Sequence, residues 1–257
     1  MSTGNPVCLV LGAGAGIGGT VGKKFAAEGY TTVLCRRSDE EGLQKLVSDI
    51  KSDGGSAHGM MINAIDENTI EDLIVNVERD IGPIEVLIFN LGAQFGDRTL
   101  ADTTYKTFEM GWRLTSFALF RVAKTLAPLM VARGGGKILV TSATSSMRGN
   151  AGQHAHAAAI GGRRLLCQSL NAELASQNIH VCHIVVDAAV EAPDTLGRLL
   201  GEELYGKLLA EKANGKDGLV IPEKLAETYY HIAHQHRSAW TQEIDVRPYA
   251  EQPWWNN

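Results

Sequence analysis

Residues 7–18 read Val-Cys-Leu-Val-Leu-Gly-Ala-Gly-Ala-Gly-Ile-Gly, an apolar run that leads into a cluster of glycines. A helical pattern over residues 20–28 follows at once, so the order is strand, tight glycine turn and helix N-terminus. Glycines let the backbone approach a pyrophosphate closely, and the free N–H groups and dipole of the helix favour its negative charge. The stretch therefore predicts a nucleotide site, and the residues assigned to it are Gly12, Gly14, Gly16, Ile17 and Gly18.

The composition is that of a globular protein, with 257 residues, 44% of them hydrophobic, and a net charge of −5. No long basic run is present, which argues against nucleic acid or an anionic membrane surface as a partner. We find no leader pattern and no apolar run long enough to cross a bilayer, so a cytoplasmic protein is expected. The cysteines form no Cys-x-x-Cys pair, and no metal site is expected. Buried free thiols are predicted at Cys8, Cys35, Cys167 and Cys182.

Strand and helix patterns alternate along the whole chain, without a linker or a repeat. This alternation predicts a doubly wound parallel α/β sheet with helices on both faces, in a single domain over residues 1–257. Strands are predicted at 7–11, 31–35, 57–62, 85–89, 137–141, 179–186 and 240–246, and helices at 16–28, 39–53, 68–81, 105–133, 153–176 and 222–236. In the long helix 105–133 the expected buried face comprises Phe108, Trp112, Phe117, Phe120 and Leu126.

Three motifs in this order resemble the short-chain dehydrogenase/reductase (SDR) family. The glycine turn is similar to the family's Thr-Gly-x-x-x-Gly-x-Gly, with Leu11 in place of the threonine. Residues 89–92, Phe-Asn-Leu-Gly, stand where the family has Asn-Asn-Ala-Gly, and Leu-Ala-Pro-Leu-Met at 126–130 is also typical. The resemblance covers nearly the whole chain and implies a Rossmann-like fold with a substrate lid at 189–218. It also implies cofactor contacts from Asn90, Gly92 and Val190.

The end of the second strand is where the resemblance implies that the cofactor is selected. An acidic residue there would hydrogen-bond the adenosine ribose and favour NAD. This chain has Arg36 and Arg37 instead, and two guanidinium groups suit a 2′-phosphate, so NADP is expected rather than NAD. A pair of solvated surface arginines is the alternative. Asn63 stands where the family has an aspartate near the adenine.

The catalytic positions implied by the resemblance carry other residues. The family uses a tyrosine, a lysine four residues later, a serine thirteen residues before the tyrosine, and an asparagine in the long helix. An alignment without gaps places Ala143 at the serine, His156 at the tyrosine and Ile160 at the lysine. Thr115 stands at the asparagine, and no Tyr-x-x-x-Lys occurs anywhere in the sequence. The departures cluster on the nicotinamide and substrate side.

His156 and Asp187 are the candidate catalytic residues in place of the missing ones. A histidine ordinarily titrates near ~6.5 and can exchange a proton with a substrate oxygen at neutral pH. His154 stands two residues earlier, and hydroxyls lie near the missing serine at Ser142, Thr144, Ser145 and Ser146. The alternatives are that both histidines are polar residues at a helix start and that Asp187 is a structural cap.

Three functions stay open from the sequence. The first is an atypical NADP(H)-dependent oxidoreductase for a carbonyl or alcohol substrate, and the second is a lyase, isomerase or hydrolase that uses His156 and Asp187. The third is a catalytically silent nucleotide-binding subunit that does not use a cofactor in chemistry. A homodimer or homotetramer is expected from the resemblance, and Trp254 and Trp255 in the tail 247–257 either cover a neighbouring subunit or pack on their own chain.

Overall fold

A seven-stranded parallel sheet runs through the computed structural model, which describes residues 4–92, 98–213 and 215–256. Its strands are β1 Val7–Leu11, β2 Thr31–Arg36, β3 Ser56–Met61, β4 Ile84–Phe89, β5 Gly136–Ala143, β6 Ile179–Val186 and β7 Glu243–Val246. Their spatial order is β3-β2-β1-β4-β5-β6-β7, so the direction of winding reverses between β1 and β4. Such a reversal opens a crevice at the carboxyl ends of these strands, where ligands bind in doubly wound sheets.

Helices cover both faces of the sheet, and each face has its own hydrophobic core. The helices are α1 Ile17–Ala27, α2 Glu40–Ser52, α3 Thr69–Asp80, α4 Tyr105–Trp112, α5 Ala118–Ala132, α6 His154–Leu174, α7 Arg198–Leu200, α8 Glu202–Lys212 and α9 Pro222–Ala233. Helices α1, α2 and α9 pack on one face, and α3, α5 and α6 pack on the other. All five residues of β1 are buried, as expected for a central parallel strand. The predicted fold class is confirmed.

The predicted long helix is interrupted by a π-helical turn at Arg113–Phe117. Thr115 and Ser116 take buried positions in this turn, and their hydroxyls are satisfied by the carbonyl oxygens of Gly111 at 2.8 Å and Ala159 at 2.6 Å. The expected buried aromatic face is therefore wrong, although Leu126 is fully buried. The four aromatic side chains of this predicted face are instead 38–47% exposed: Phe108, Trp112, Phe117 and Phe120.

The run Tyr105–Ala132 is long and apolar enough to cross a membrane, contrary to the expectation from the sequence. More than half of its most apolar window, 56%, is buried inside the fold, where α5 packs against the sheet and α3. The core of a water-soluble domain accounts for the same composition. We therefore interpret this run as a core helix.

The four cysteines are free and buried, as predicted. Burial raises the pKa of the Cys35, Cys167 and Cys182 thiols to about 12, and it raises the pKa of Cys8 well above its ordinary value. The predicted single domain, lid and tail each include residues outside the described ones, namely 1–3, 93–97, 214 and 257.

Candidate functional site

A groove of about 710 Å³ lies at the carboxyl ends of β1, β2 and β4. The structure brings seven of the predicted cofactor residues into its lining. They are Gly12, Gly14, Arg36, Arg37, Asn63, Asn90 and Gly92. Gly16, Ile17 and Gly18 form the start of α1 beside it, and Val190 pairs with Val220 at the base of the predicted lid.

The glycine turn is packed so tightly that two of its positions exclude any side chain. Gly12 has a φ of +91°, and a Cβ on it would lie 2.7 Å from the Asn90 carbonyl oxygen. A Cβ on Gly18 would lie 2.1 Å from the Gly12 carbonyl oxygen. At Gly14 the nearest atom would be a Thr195 methyl carbon at 3.9 Å, so this glycine faces the groove. The turn thus combines a packed inner side with an accessible outer side.

Helix α1 begins without a side-chain cap and without an acidic residue in its first turn. The Thr20 N–H donates to the Gly16 carbonyl oxygen at 3.3 Å, so the N–H groups of Ile17 and Gly18 precede the first intrahelical hydrogen bond. Unpaired N–H groups and the positive end of the helix dipole favour an anion at this position. The first turn of α1 has the chemistry that a phosphate group requires.

Arg36 is only 8% exposed and lines the groove at the end of β2. Its Nε donates to the Ala13 carbonyl oxygen at 2.5 Å, and its Nη1 donates to the Asp39 carboxylate at 2.8 Å. Burial lowers the pKa of Arg36, while the Asp39 charge opposes this effect. Arg37 is exposed and lines the same groove. Arg36 is therefore not a solvated surface arginine.

Asn63 presents a buried oxygen in this groove. Its Nδ2 donates to the Asp66 carboxylate at 2.8 Å. Its Oδ1 is buried and has no hydrogen-bond partner among the residues that the structure describes. A buried acceptor without a donor is costly, so a ligand N–H at this point would satisfy it.

The residues at the positions that correspond to the family's catalytic ones are not among the residues that line this groove. His156 is half-buried in the first turn of α6, and Ile160 one turn later is 2% exposed. Ala143 ends β5, and Thr115 is fully buried and satisfied within the π-helical turn. The apolar Ala143 and Ile160 leave His156 as the titratable group among the four.

The hydroxyl groups after β5 have separate environments. Ser145 donates to Gln153 at 2.7 Å, and Ser146 donates to the Ala143 carbonyl oxygen at 2.7 Å. The Ser142 Oγ is buried and has no hydrogen-bond partner within the described ranges. Ser142 is thus the hydroxyl whose hydrogen-bonding capacity is still available.

Arg163 is a buried cation, and its burial was not predicted from the sequence. It is 2% exposed, and it donates to the carbonyl oxygens of Thr141 and Leu91, each at 2.5 Å. Its guanidinium group lies 5.3 Å from the Phe89 ring centre, and burial lowers its pKa to about 10. Arg163 thereby ties the ends of β4 and β5 to α6. The available signal was an arginine three residues after Ile160 on the same helix face.

Asp187 follows β6 and holds the C-terminal tail. It is 6% exposed, and its carboxylate accepts hydrogen bonds from Arg247 at 3.2 Å and from the Trp254 N–H at 3.1 Å. Arg148 donates to the Trp254 carbonyl oxygen at 2.6 Å, and Lys212 of α8 forms an ion pair with Glu251. The described tail packs on its own chain, and these contacts are those of an orienting carboxylate.

The predicted lid contributes residues to the groove that the sequence did not indicate. Asp194, Thr195 and Arg198 line it opposite Arg36 and Arg37. Thr195 also lies above the glycine turn, where its Oγ1 would be 3.3 Å from a Cβ on Gly16. The signal was weak, because a threonine and an arginine in an irregular segment have no fixed spacing from the turn.

Two histidines near the end of α9 form hydrogen bonds with neighbouring tyrosine and serine residues. His234 pairs with the Tyr30 hydroxyl at 3.1 Å and the Tyr230 carbonyl oxygen at 2.7 Å, and His236 pairs with Ser238 at 2.8 Å. Over the described residues, no group of three His, Cys, Asp or Glu side chains is placed to hold a metal ion.

Comparisons with known proteins agree with this geometry. The family model for short chain dehydrogenases matches residues 6–192. The chain is 28% identical to the 3-oxoacyl-[acyl-carrier-protein] reductase FabG of Thermotoga maritima over 238 residues, which is 93% of this chain and 94% of the relative. A crystal structure of a short-chain dehydrogenase from Rhodopseudomonas palustris is 33% identical, with a TM-score of 0.79 and coverage of 95% of this chain and 99% of that one. A metagenomic short-chain oxidoreductase in complex with NADP has the same fold, at 22% identity and a TM-score of 0.79, covering 96% of this chain and 99% of that one.

These matches extend over most of the chain and coincide with the sheet order and the glycine turn. The chain belongs to the short-chain dehydrogenase/reductase family.

Proposed function

We propose that the protein is an NADP(H)-dependent oxidoreductase of a carbonyl or alcohol substrate, with an atypical catalytic site. The observation that carries the proposal is the groove with the glycine turn at one end and the buried, unpaired Asn63 Oδ1 at the other. The Thermotoga relative is named a reductase, which supports a redox reaction of the same type. NADP is preferred over NAD because arginines, rather than an acidic residue, follow β2.

The residues present fit a dinucleotide. The glycine turn and the first N–H groups of α1 would hold the pyrophosphate, and Asn63 Oδ1 would accept from the adenine amino group. Arg37 would face the 2′-phosphate, while Arg36 supports the turn through Ala13. When bound, the cofactor supplies the hydride chemistry, and the protein supplies binding and orientation.

We assign to His156 the exchange of a proton with the substrate oxygen. An imidazole exchanges a proton with a substrate oxygen near neutral pH without the cationic neighbour that a tyrosine needs. Arg163 ties α6, which carries His156, to the end of β5, which carries Ser142 and its unpartnered buried hydroxyl. Asp187 acts through the tail it holds.

Titration of the purified protein with NADPH and NADH, followed by nicotinamide fluorescence and thermal unfolding, tests the cofactor. A ligand that prefers the folded state raises the melting temperature. Preferential stabilisation by NADPH is the expected result. Binding of neither nucleotide at millimolar concentration would contradict the redox proposal and favour non-redox chemistry or a silent subunit.

A panel of carbonyl compounds with NADPH tests the assignment of His156. We expect His156→Ala to lower kcat at least ~100-fold, a typical effect for a lost general acid. His231→Ala, an exposed histidine on α9, is the matched control and should keep the wild-type rate. An unchanged rate in His156→Ala removes this residue from the mechanism.

Self-association and location complete the proposal. The half-exposed aromatic side chains of α4 and α5, with Trp112 stacked on Phe117 at 5.0 Å, form an apolar surface suited to a second copy of the chain. We expect a homodimer or homotetramer in the cytoplasm. Light scattering coupled to gel filtration should give the mass of an oligomer for the wild-type protein. The same measurement on Phe120→Glu should give a mass shifted toward that of the monomer.

A further inference from the structure

We propose that Arg198, on the lid, is an additional recognition residue for the adenosine 2′-phosphate, and that this contact draws the lid over the groove. The inference rests on the proposed function, since it concerns the same nucleotide. It adds a residue from the far side of the groove to the arginines that follow β2.

The groove has two charged rims. One rim, at the end of β2 and just beyond it, carries Arg36, Arg37 and Asp39. The other is on the lid and carries Asp194 and Arg198. A second groove behind Arg36 is also lined from both sides, by Arg36, Asp39, Asp194 and Arg198. The two rims therefore face each other over the space beside the Arg36 side chain.

The two rims influence each other electrostatically. The charge of Arg198 lowers the pKa of Arg36, and the charge of Asp194 raises it. These effects are smaller than that of burial, but they require that both lid residues lie close to the guanidinium group.

The arginines differ in how far they are already engaged. Arg36 is buried and donates to Ala13 and Asp39. Arg198 is 69% exposed, and its contact with Asp194, one helical turn away, is long at 3.5 Å. Exposed ion pairs of this kind contribute little to stability, so Arg198 can exchange its partner at small cost.

A phosphate group would change the charge balance between the rims. Three guanidinium groups face two carboxylates, which leaves one positive charge, and a phosphate monoester carries about −1.5 to −2 at neutral pH. Arginine is the preferred partner of phosphate because its planar group donates two parallel hydrogen bonds. The negative charge of Asp194 repels the same phosphate group, so Arg198 should raise the affinity for the phosphate and Asp194 should lower it.

The lid is attached to the rest of the fold at its base, close to Arg198. Val190 and Val220 form an isolated bridge at the base, and the Gly16 position lies against Ala192 and Thr195. Arg198 begins the short helix α7 just beyond these contacts. A phosphate held between Arg37 and Arg198 would thus join the lid to the end of β2.

The test uses 2′,5′-ADP and 5′-AMP, which differ only in the 2′-phosphate and need no nicotinamide subsite. Calorimetry with the full-length protein should show tighter binding of 2′,5′-ADP. Arg198→Gln should lower the affinity for 2′,5′-ADP about tenfold and leave the affinity for 5′-AMP unchanged. Asp194→Asn should raise the affinity for 2′,5′-ADP a few-fold. Arg79→Gln, an exposed arginine of α3 that is also paired with a carboxylate, is the matched control and should change neither.

The outcomes separate the two proposals. Equal affinity of wild type and Arg198→Gln for 2′,5′-ADP overturns the role of Arg198, even if NADPH binds preferentially. Parallel losses for 2′,5′-ADP and 5′-AMP also overturn it, because they indicate a damaged lid. Failure of wild type to bind NADPH, NADH and both probes overturns the proposed function together with this inference. Hydrogen exchange at residues 193–200 should slow with 2′,5′-ADP in wild type and not in Arg198→Gln; no slowing in wild type overturns the coupling to the lid.

Discussion

Two regions of the molecule differ in what fixes their residues: the glycine turn and the positions that correspond to the family's catalytic residues. In the turn, Gly12 and Gly18 are required by contacts with main-chain atoms of the fold itself. At the catalytic positions, Ala143, His156 and Ile160 replace the serine, tyrosine and lysine that the family resemblance implies. Packing thus fixes the turn, whereas the residues at the catalytic positions depart from the family pattern while the order of the strands is retained. A well-formed glycine turn is accordingly evidence for the fold first and for a nucleotide second.

Gly18→Ala should have the largest effect. The added Cβ would lie 2.1 Å from the Gly12 carbonyl oxygen, a main-chain atom of the turn, so the turn must shift. We expect a loss of more than about 3 kcal/mol in the free energy of unfolding, measured by urea denaturation. Gly92→Ala in the same groove meets no atom of the described residues within 4 Å and should cost less than ~1 kcal/mol. Similar losses in both variants would contradict the contrast between packed and open positions.

Ile160→Lys tests whether the replaced catalytic positions can be returned to the family pattern by one substitution. Ile160 is 2% exposed and lies one helical turn before the buried Arg163. A second cation there loses hydration and meets the charge of Arg163, so we expect a destabilisation of about 3 kcal/mol. Ile160→Leu keeps the volume and should cost under ~1.5 kcal/mol. A lysine variant as stable as wild type would show that this position of α6 still accommodates an ammonium group.

Asp187→Asn should have the smallest effect of the three. The substitution removes the charge that accepts hydrogen bonds from Arg247 and the Trp254 N–H. We expect a loss of about 1 kcal/mol and faster proteolysis of the tail, because charge-assisted hydrogen bonds are stronger than neutral ones. Asp53→Asn, at an exposed position, is the control. If catalysis falls ~100-fold while the tail stays protected, Asp187 acts chemically and not through the tail.

The sequence predicted the sheet and the glycine turn because both depend on short-range patterns. β-branched runs, helical spacing and glycines between them are local signals, and every strand was found. The π-helical turn was missed because one sequence does not show that Ser116 contacts α6. Arg163 also contacts Leu91, and Arg198 lines the groove together with Arg36; both of these partners are distant in the sequence, so one sequence does not reveal them.

The burial of all four cysteines has a practical consequence for spectroscopy. Each native thiol is buried with a raised pKa, so little thiolate is available to react with a maleimide at neutral pH. Leu199 stands beside Arg198 on α7 and is 60% exposed. A cysteine introduced at Leu199 would therefore take up a fluorophore selectively in an otherwise native chain. Its emission would report the position of α7 in real time.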